Sequence, residues 1–385
     1  MEANEKLRLA LVSNKWPRRA PSESNWVTMI QSMEQKQSVC FTLWFRTHNN
    51  PRYAELFPQL APVVNFRKVT LSQLRVLRAL QFRTWMALKR SVIYPSVARY
   101  FAGRYRTVFT VDTYQIPAWP RSQRVVVDMD DPVFSTEEFA TLRLPQVRAI
   151  VVTTEQARNI YRQHGITCPI YIIPQGVSVE HLDVKSARRI RAQCRTDGDV
   201  VVGYHAPTLT LSSDGPKRAR AGQDDLDFLF AALTEARKSA PQIKLWLIGE
   251  PSASVRRYVS ETRAHWVRLC GYLPLSEILN YVSNFDIGVY PRTWAQPPAR
   301  FNVKLAQFMA CGVPVVSRNL DESFVLREAR SGIVCQSQED FSRALVALTR
   351  SADQRAQLAN AGRAYTQMNL DWSVLVPKYK EILSS

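Results

Sequence analysis

The stretch that decides the predicted fold lies between positions 301 and 316, and it reads Phe301-Asn302-Val303-Lys304-Leu305-Ala306-Gln307-Phe308-Met309-Ala310-Cys311-Gly312-Val313-Pro314-Val315-Val316. Asn302 can cap a helix, because its side-chain oxygen accepts a hydrogen bond from an amide of the first turn. Gly312 is a helix-ending residue, and Pro314 cannot continue the helix. The two valines that follow open a buried strand. The stretch therefore predicts a short helix, a turn and a strand.

The start of this helix also predicts a site for an anion. A helix N-terminus presents unpaired N–H groups, here from Val303 onward, together with the positive end of the helix dipole, and both suit a phosphate. Lys304 lies in the same turn and adds a full positive charge. We therefore expect a phosphate-bearing ligand at this helix start.

Strand-like apolar runs alternate with helical stretches along both halves of the chain. The predicted strands span 9–12, 39–44, 107–111, 124–129 and 149–153 in the first half, and 200–204, 244–248, 267–270, 287–290, 313–317 and 332–335 in the second. Such alternation implies parallel sheets that are covered by helices on both faces. The predicted fold class is α/β, with two Rossmann-like domains of parallel sheet.

The 301–316 stretch resembles the nucleotide-sugar site of the family-4 type glycosyltransferases (group 1) with the GT-B fold. The matching or nearly matching residues are Asn302, Lys304, Gln307, Gly312, Pro314, Val315 and Val316. The resemblance implies two domains facing a central cleft and a retaining hexosyltransferase that moves a sugar from a nucleotide sugar to a glycan, lipid-linked or other hydroxyl acceptor. The alternative interpretation is an ordinary helix–turn–strand unit of an α/β domain.

The same resemblance implies a division of the chain. We expect residues 1–168 to form the acceptor-side domain and residues 169–370 the nucleotide-sugar domain, with a final helix at 371–385 that crosses back to the first. Pro174-Gln175-Gly176-Val177 is similar to the hinge of the family, with Gln175 in place of the usual Asn. A plain turn is the alternative for this segment.

The resemblance implies several donor-binding residues. Gln307 aligns with the second Glu of the Glu-x7-Glu element of the family, which holds the ribose, and Ala299 stands where the first Glu would be. Arg300, Asn302 or a backbone group would then replace that first carboxylate. The base would lie against Gly271 and Tyr272, although a simple turn explains the same residues.

A polar loop is expected after the predicted strand 200–204. In the family this region contacts the diphosphate, and His205, Lys217 and Arg218 are the candidates here. The alternatives are a buried, hydrogen-bonded histidine and a solvated loop.

An acidic cluster, Asp128-Met129-Asp130-Asp131, follows the apolar run 124–127 and begins within the last residues of the predicted strand 124–129. Carboxylates after a parallel strand lie at the edge where α/β sheets place their ligands. Asp130 and Asp131 are therefore the candidate catalytic residues, which would orient the acceptor or the sugar. A capping or turn role before Pro132 is the alternative. We expect no metal site and no cofactor, with a nucleoside-diphosphate sugar as the donor substrate.

The charge of the chain is unevenly distributed. Its 385 residues carry 51 basic and 33 acidic side chains, a net charge of +18, and no Asp or Glu occurs between Leu56 and Val111. The basic segment 67–106 therefore predicts contact with an anionic acceptor or a membrane surface, a solvated helix face within 71–90 being the alternative. Nucleic acid is a further candidate partner for so basic a chain.

Three further features of the sequence bear on where the protein resides in the cell. No apolar run reaches the ~18–20 residues of a membrane span, and the first residues are polar rather than leader-like. None of the six cysteines has metal-binding or redox spacing. We expect a cytoplasmic protein with reduced thiols, peripheral at the inner face of a membrane if the basic segment binds lipid.

Two functions of other classes stay open at this point. A GT-B domain that binds a nucleotide sugar or glycan without turnover would explain Ala299 and Gln307. A glycosyltransferase acting on modified bases of nucleic acid would explain the positive charge.

Overall fold

A computed structural model describes residues 8–12, 40–45, 67–68, 89–102, 106–111, 113–130, 132–177, 182–214, 226–273, 275–292, 301–319 and 323–385. These residues form two separate parallel sheets with helices between the strands. The predicted α/β class with two Rossmann-like units is confirmed.

The first sheet has the strand order β3-β2-β1-β4-β5-β6-β7. Its strands are β1 (Arg8–Val12), β2 (Cys40–Phe45), β3 (Arg67–Lys68), β4 (Thr107–Thr110), β5 (Arg124–Met129), β6 (Val147–Val152) and β7 (Ile170–Ile172). The described helices of this half are α1 (Tyr94–Phe101), which follows a π-helical turn at Lys89–Ile93, α2 (Thr136–Leu142) and α3 (Glu155–Gln163), with a 3-10 turn at Ile116–Ala118.

The second sheet has the order β10-β9-β8-β11-β12-β13. Its strands are β8 (Val200–Leu209), β9 (Ile243–Pro251), β10 (Val267–Gly271), β11 (Ile287–Tyr290), β12 (Val315–Arg318) and β13 (Gly332–Cys335). The helices are α4 (Val184–Cys194), α5 (Leu226–Ser239), α6 (Ala253–Glu261), α7 (Leu275–Val282), α8 (Val303–Ala310), α9 (Phe324–Ala329), α10 (Gln338–Arg350), α11 (Ala352–Asn369) and α12 (Trp372–Ser384), with a 3-10 turn at Ser212–Asp214.

Two paired glycines let α8 pack closely on the second sheet. Gly203 of β8 lies opposite Gly288 of β11 in the parallel register. A Cβ at Gly203 would come within 1.9 Å of the Phe285 ring, and one at Gly288 within 2.9 Å of the Phe308 ring. The missing side chains therefore leave room for two buried aromatic rings. The Phe308 ring, seated on Gly288, holds α8 and with it the predicted anion site against β11.

The last helix, α12, packs on the first sheet although it follows the second along the chain. The Thr107 hydroxyl donates to the carbonyl of Leu383 at 3.2 Å, and the Arg124 guanidinium donates to the carbonyl of Ile382 at 2.7 Å. Trp372 stacks over Gly176, where a Cβ would meet the indole at 2.6 Å. The end of the chain thus joins the first sheet to the segment between the sheets.

Two boundaries differ from those expected. Strand β7 pairs with β6, so the first sheet extends beyond Cys168, the predicted end of the first domain. The residues of an apolar strand do not indicate which of two sheets it joins. The sequence therefore predicts a domain boundary that lies before β7 instead of after it. Strand β8 continues to Leu209, so the polar loop expected after the predicted strand 200–204 begins later, because Thr208 and Leu209 pair with Glu250 and Pro251 of β9.

No helix in the described ranges is both long and apolar enough to span a membrane.

Candidate functional site

The first turn of α8 lies at the carboxyl edge of the second sheet. The Asn302 Oδ1 accepts a hydrogen bond from the Lys304 amide at 3.1 Å, which is the predicted N-cap. Its Nδ2 donates to the Tyr290 hydroxyl at 2.7 Å, at the end of β11. The Leu305 amide bonds the Asn302 carbonyl at 3.0 Å. Asn302 therefore ties the helix start to the neighbouring strand.

The Lys304 side chain reaches the adjacent strand β8. Its Nζ lies 3.4 Å from the Tyr204 hydroxyl and 4.9 Å from the centroid of that ring. An ammonium over an aromatic face is held by the ring quadrupole while it keeps its charge. The structure thus brings Asn302 and Lys304 together between two buried tyrosines, and it presents a positive group at the positive end of the helix dipole.

His205 follows Tyr204 and is buried. Its ring makes an edge contact with Phe308, the centroids lying 5.3 Å apart. Burial, assisted by the Lys304 charge, lowers the pKa of His205 to about 3, so the ring is neutral at physiological pH. Neither ring nitrogen has a hydrogen-bond partner in the described part of the chain, and both are buried. His205 therefore supplies no positive charge to a diphosphate and is not placed to contact one directly.

Gln307 lies one turn beyond Lys304 on α8. The residue is only 5% exposed, and its Oε1 is buried without a hydrogen-bond partner among the described residues. A carboxylate at this position would meet the same burial and would be costly there unless it paired with a cation. The neutral amide suits this environment better than the Glu expected from the family pattern.

Gly271 and Tyr272 end strand β10, at the edge of the sheet. Gly271 adopts a φ of +75°, which L side chains rarely take, and a Cβ there would have nothing within 4 Å. Tyr272 is 37% exposed. Lys304 contacts β8, and β10 is two strands from β8. Gly271 and Tyr272 therefore lie about 10 Å from β8 across the sheet. That span suits the distance between a diphosphate and a base.

The acidic cluster of the first sheet is held by long-range contacts. The Tyr379 hydroxyl of α12 donates to Asp128 Oδ2 at 3.1 Å, and the Gln175 amide between the sheets donates to Asp130. Burial and these two carboxylates raise the pKa of Tyr379 well above its ordinary value. Asp130 therefore lies at the junction of the two halves, at the carboxyl end of β5. Asp131 lies outside the described residues.

Three further candidates also fall outside the described residues, namely Lys217, Arg218 and Arg300. Most of the basic segment 67–106, including the expected helix before Lys89, lies there too. Of its described members, Arg90 pairs with Glu137 of α2. No group of three or more His, Cys, Asp or Glu side chains within the described ranges is arranged to hold a metal.

Sequence reasoning missed three residues of the site. Tyr204 and Tyr290 contact Lys304 and Asn302, and Arg292 follows β11 with its guanidinium 5.7 Å from the Tyr290 ring centroid. Arg292 is only 1% exposed, which is rare for an arginine. The sequence signal for the two tyrosines is their position at the end of the predicted strands 200–204 and 287–290.

The protein has two sheets. A helix start that carries Lys304 lies at the carboxyl edge of the second sheet, and the hydrogen-bonded carboxylates Asp128 and Asp130 lie at the carboxyl edge of the first. A family model described as Glycosyl transferases group 1 matches residues 217–351. The predicted resemblance to GT-B glycosyltransferases of the family-4 type is thereby confirmed.

Individual proteins agree with this family match. A phosphatidyl-myo-inositol mannosyltransferase of Propionibacterium freudenreichii is 28% identical over 276 residues, covering 65% of this chain and 63% of the relative. A GDP-mannose-dependent monoacylated alpha-(1-6)-phosphatidylinositol monomannoside mannosyltransferase of Corynebacterium glutamicum is 22% identical over 225 residues, covering 55% of each. The chain thus spans less than two thirds of the length of these curated relatives.

Solved structures share the whole fold. Anabaena Alr3699/HepE in complex with UDP superposes with a TM-score of 0.71 at 14% identity, over 98% of this chain and 100% of that one. This likeness confirms the GT-B fold.

Proposed function

We propose that this protein is a retaining hexosyltransferase that uses a nucleoside-diphosphate sugar and a lipid-linked hydroxyl acceptor at a membrane surface. The observation that carries the proposal is the Lys304 ammonium, held by Tyr204 at the start of α8. The departing diphosphate gains negative charge as the glycosidic bond breaks, and a fixed cation with a helix dipole stabilises that charge.

The remaining donor contacts follow from the same placement. Gln307 would bind the ribose through its amide, and Gly271 and Tyr272 would contact the base. Lys217, Arg218 and Arg300 would add cations to the diphosphate. His205 would act only indirectly, as a buried neutral ring that packs against Phe308 of α8. Such a clamp neutralises the diphosphate without a metal ion.

The acceptor side is assigned to the first sheet. Asp130 lies at its carboxyl edge and contacts the inter-sheet residue Gln175, so its carboxylate can orient a hydroxyl that enters between the halves. Asp131 is the second candidate for this role. Both curated relatives are named for phosphatidylinositol acceptors, and the basic segment 67–106 would hold the protein on an anionic leaflet.

The proposed binding of a nucleotide-sugar donor is tested by thermal unfolding of the full chain with GDP, UDP, ADP, GDP-mannose and UDP-glucose. A ligand that binds only the folded state raises the unfolding temperature. We expect one nucleotide to do so, and Lys304→Gln to raise its dissociation constant roughly 10- to 100-fold through loss of a charge-assisted contact. Lys238→Gln, an exposed lysine of α5, is the matched control and should bind as the wild type does. A stabilising nucleotide that binds Lys304→Gln equally well would contradict the proposal.

A binding-only function is the second candidate, because Gln307 and Ala299 replace two carboxylates of the family pattern. Turnover of a labelled donor by the purified protein, lost in Lys304→Gln, excludes it. The anomeric configuration of the product, read by NMR, tests retention. Donor binding without turnover on any offered acceptor would favour the binding-only function.

The membrane partner is tested against nucleic acid. We expect co-sedimentation with vesicles containing phosphatidylinositol and weaker binding to duplex DNA at the same salt concentration. A steep salt dependence on DNA with no vesicle binding would favour the nucleic-acid alternative instead.

A further inference from the structure

Three arginines lie together where neighbouring strands of the first sheet begin. Arg106 directly precedes β4, Arg124 is the first residue of β5, and Arg148 is the second residue of β6. Thr107 of β4 and Arg124 are partners in the parallel register. Strand β5 ends at Met129, so its two ends lie about 17 Å apart. The arginines therefore lie at the amino edge of the sheet, away from the acidic cluster at its carboxyl edge.

A bulge in β6 sets the position of Arg148. Two consecutive residues of β5 pair with Val147 and Ala149, so Arg148 is the extra residue between them. Within β6 it alone is exposed. Bulges re-aim a side chain that the regular pleat would direct elsewhere. On the next strand, β7, Tyr171 is 38% exposed, which gives the amino edge a phenol beside its cations.

The arginines act on one another, and the protein supplies them with little negative charge. Burial, together with the positive charges of Arg106 and Arg148, lowers the pKa of Arg124 against an opposing effect of Tyr171. No Asp or Glu in the described part of the chain forms an ion pair with any of the three arginines. The repulsion between these cations is therefore not offset by a carboxylate there.

Hydrogen-bond acceptors are also too few at this edge. The Arg124 Nη2 donates to the carbonyl of Ile382 in α12 at 2.7 Å and to the Ser385 hydroxyl at 3.1 Å. Its Nε is buried without a partner among the described residues, and a buried donor without an acceptor is unfavourable. The edge thus gathers donors and positive charge from three strands without the matching acceptors.

We propose that the amino edge of the first sheet is an anion site in which Arg106, Arg124 and Arg148, with the Tyr171 hydroxyl, bind a phosphate group. A guanidinium donates paired N–H bonds to phosphate oxygens, and a tyrosine hydroxyl adds a further donor. The phosphate of a soluble compound and that of a lipid headgroup share this chemistry. The inference does not depend on glycosyl transfer.

The site is tested by thermal unfolding of the full chain in millimolar inorganic phosphate and in sodium chloride of equal ionic strength. We expect phosphate to raise the unfolding temperature of the wild type by about 2–4 °C, and Arg106→Gln combined with Arg148→Gln to lose that rise. Lys304→Gln, at the other sheet, should keep most of it. Arg189→Gln, an exposed arginine of α4, is the matched control and should respond as the wild type does.

Two further measurements separate a ligand site from a structural role. Without phosphate, the double variant should unfold at the same temperature as the wild type or slightly higher, because like charges have been removed. Phosphate should slow amide exchange at the starts of β5 and β6 about 10-fold in the wild type only. A double variant that responds to phosphate as the wild type does, or that unfolds at a lower temperature without phosphate, would overturn the site.

The source of the phosphate is read from two arms, glycerol 3-phosphate in solution and vesicles containing phosphatidylglycerol. If the ligand is a lipid headgroup, the double variant should raise the dissociation constant for vesicles about 10-fold. If it is a soluble compound, glycerol 3-phosphate should stabilise the wild type, and vesicle binding should not depend on these arginines. Dependence on the arginines in neither arm contradicts the proposal, while GDP binding, measured in parallel, reports separately on the donor site.

Discussion

The carboxyl edges of the two sheets are built in opposite ways. The second edge gathers a lysine, two tyrosines and a neutral histidine within neighbouring elements, and its geometry depends on close packing of α8. The first edge is acidic, and its carboxylates Asp128 and Asp130 are bonded to residues far along the chain. The edge of the second sheet is held by close packing of neighbouring elements. The edge of the first sheet is held by hydrogen bonds to residues distant in sequence.

The strongest challenge to the second edge is Gly203→Ala. Its Cβ would lie 1.9 Å from the Phe285 ring, which is itself buried, so the ring and α8 must shift. We expect a loss of about 3 kcal/mol in the free energy of unfolding, measured by urea titration. Gly198→Ala is the control, since a Cβ there meets nothing within 4 Å and only its φ of +84° is unfavourable, costing about 1 kcal/mol. Equal losses at the two glycines would contradict the packing argument.

The neutral histidine gives the second edge a pH dependence. The pKa of His205 is about 3 in the folded protein and near 6.5 in the unfolded chain, so below pH 6.5 the unfolded state binds a proton that the folded state does not. Stability should therefore fall on acidification by roughly 1.4 kcal/mol per pH unit, about 2 kcal/mol between pH 6.5 and pH 5.

Urea unfolding of wild type, His205→Phe and the exposed control His265→Gln at pH 7, 6 and 5 checks this dependence. Phe keeps the apolar contact with Phe308 and removes the titrating group. The slope should shrink in His205→Phe and persist in His265→Gln. If the dependence of stability on pH persists in His205→Phe, another titrating group must cause it.

The first edge is tested at its contact with α12. Tyr379→Phe removes the hydroxyl that donates to the buried Asp128 carboxylate. The expected cost is about 1–2 kcal/mol in the free energy of unfolding, because a buried acceptor loses one of its donors. Asp128→Ala combined with Tyr379→Phe should cost less than the sum of the single changes, since either change alone removes the hydrogen bond. Strict additivity would mean that this hydrogen bond does not hold the edge.

The smallest effect is expected at the exposed ion pair beside the first edge. Arg90 and Glu137 are each about half exposed or more, so solvent screens their attraction. Arg90→Gln should change the free energy of unfolding by less than about 1 kcal/mol, and less still at high salt. A larger loss would show that the basic segment is a structural part of the acidic edge.

The sequence predicted the second edge better because its determinants are close together in the chain. The N-cap at Asn302, the turn at Gly312 and the strand after Pro314 are local signals, and each is present. The predicted position of Lys304 at a helix start is therefore correct. Its partner Tyr204 lies a hundred residues earlier, and only the pairing of β8 with β11 brings it near.

The first edge could not be predicted in the same way. The acidic cluster Asp128 to Asp131 is evident in the sequence at the end of a strand, but nothing near it indicates that Tyr379 and Gln175 bond two of its carboxylates. Likewise, β7 is an apolar strand whose sheet is chosen by tertiary pairing rather than by its own residues. Hydrogen-bond partners distant in sequence leave no local pattern.

The return of α12 to the first sheet has a consequence for the order of folding during synthesis. Thr107, Arg124 and Asp128 all bond residues of this helix, which leaves the ribosome only after both sheets have been made. Until α12 docks, the Asp128 carboxylate and the face of the first sheet that α12 covers stay exposed to water. The earliest-made sheet is thus the last to be completed.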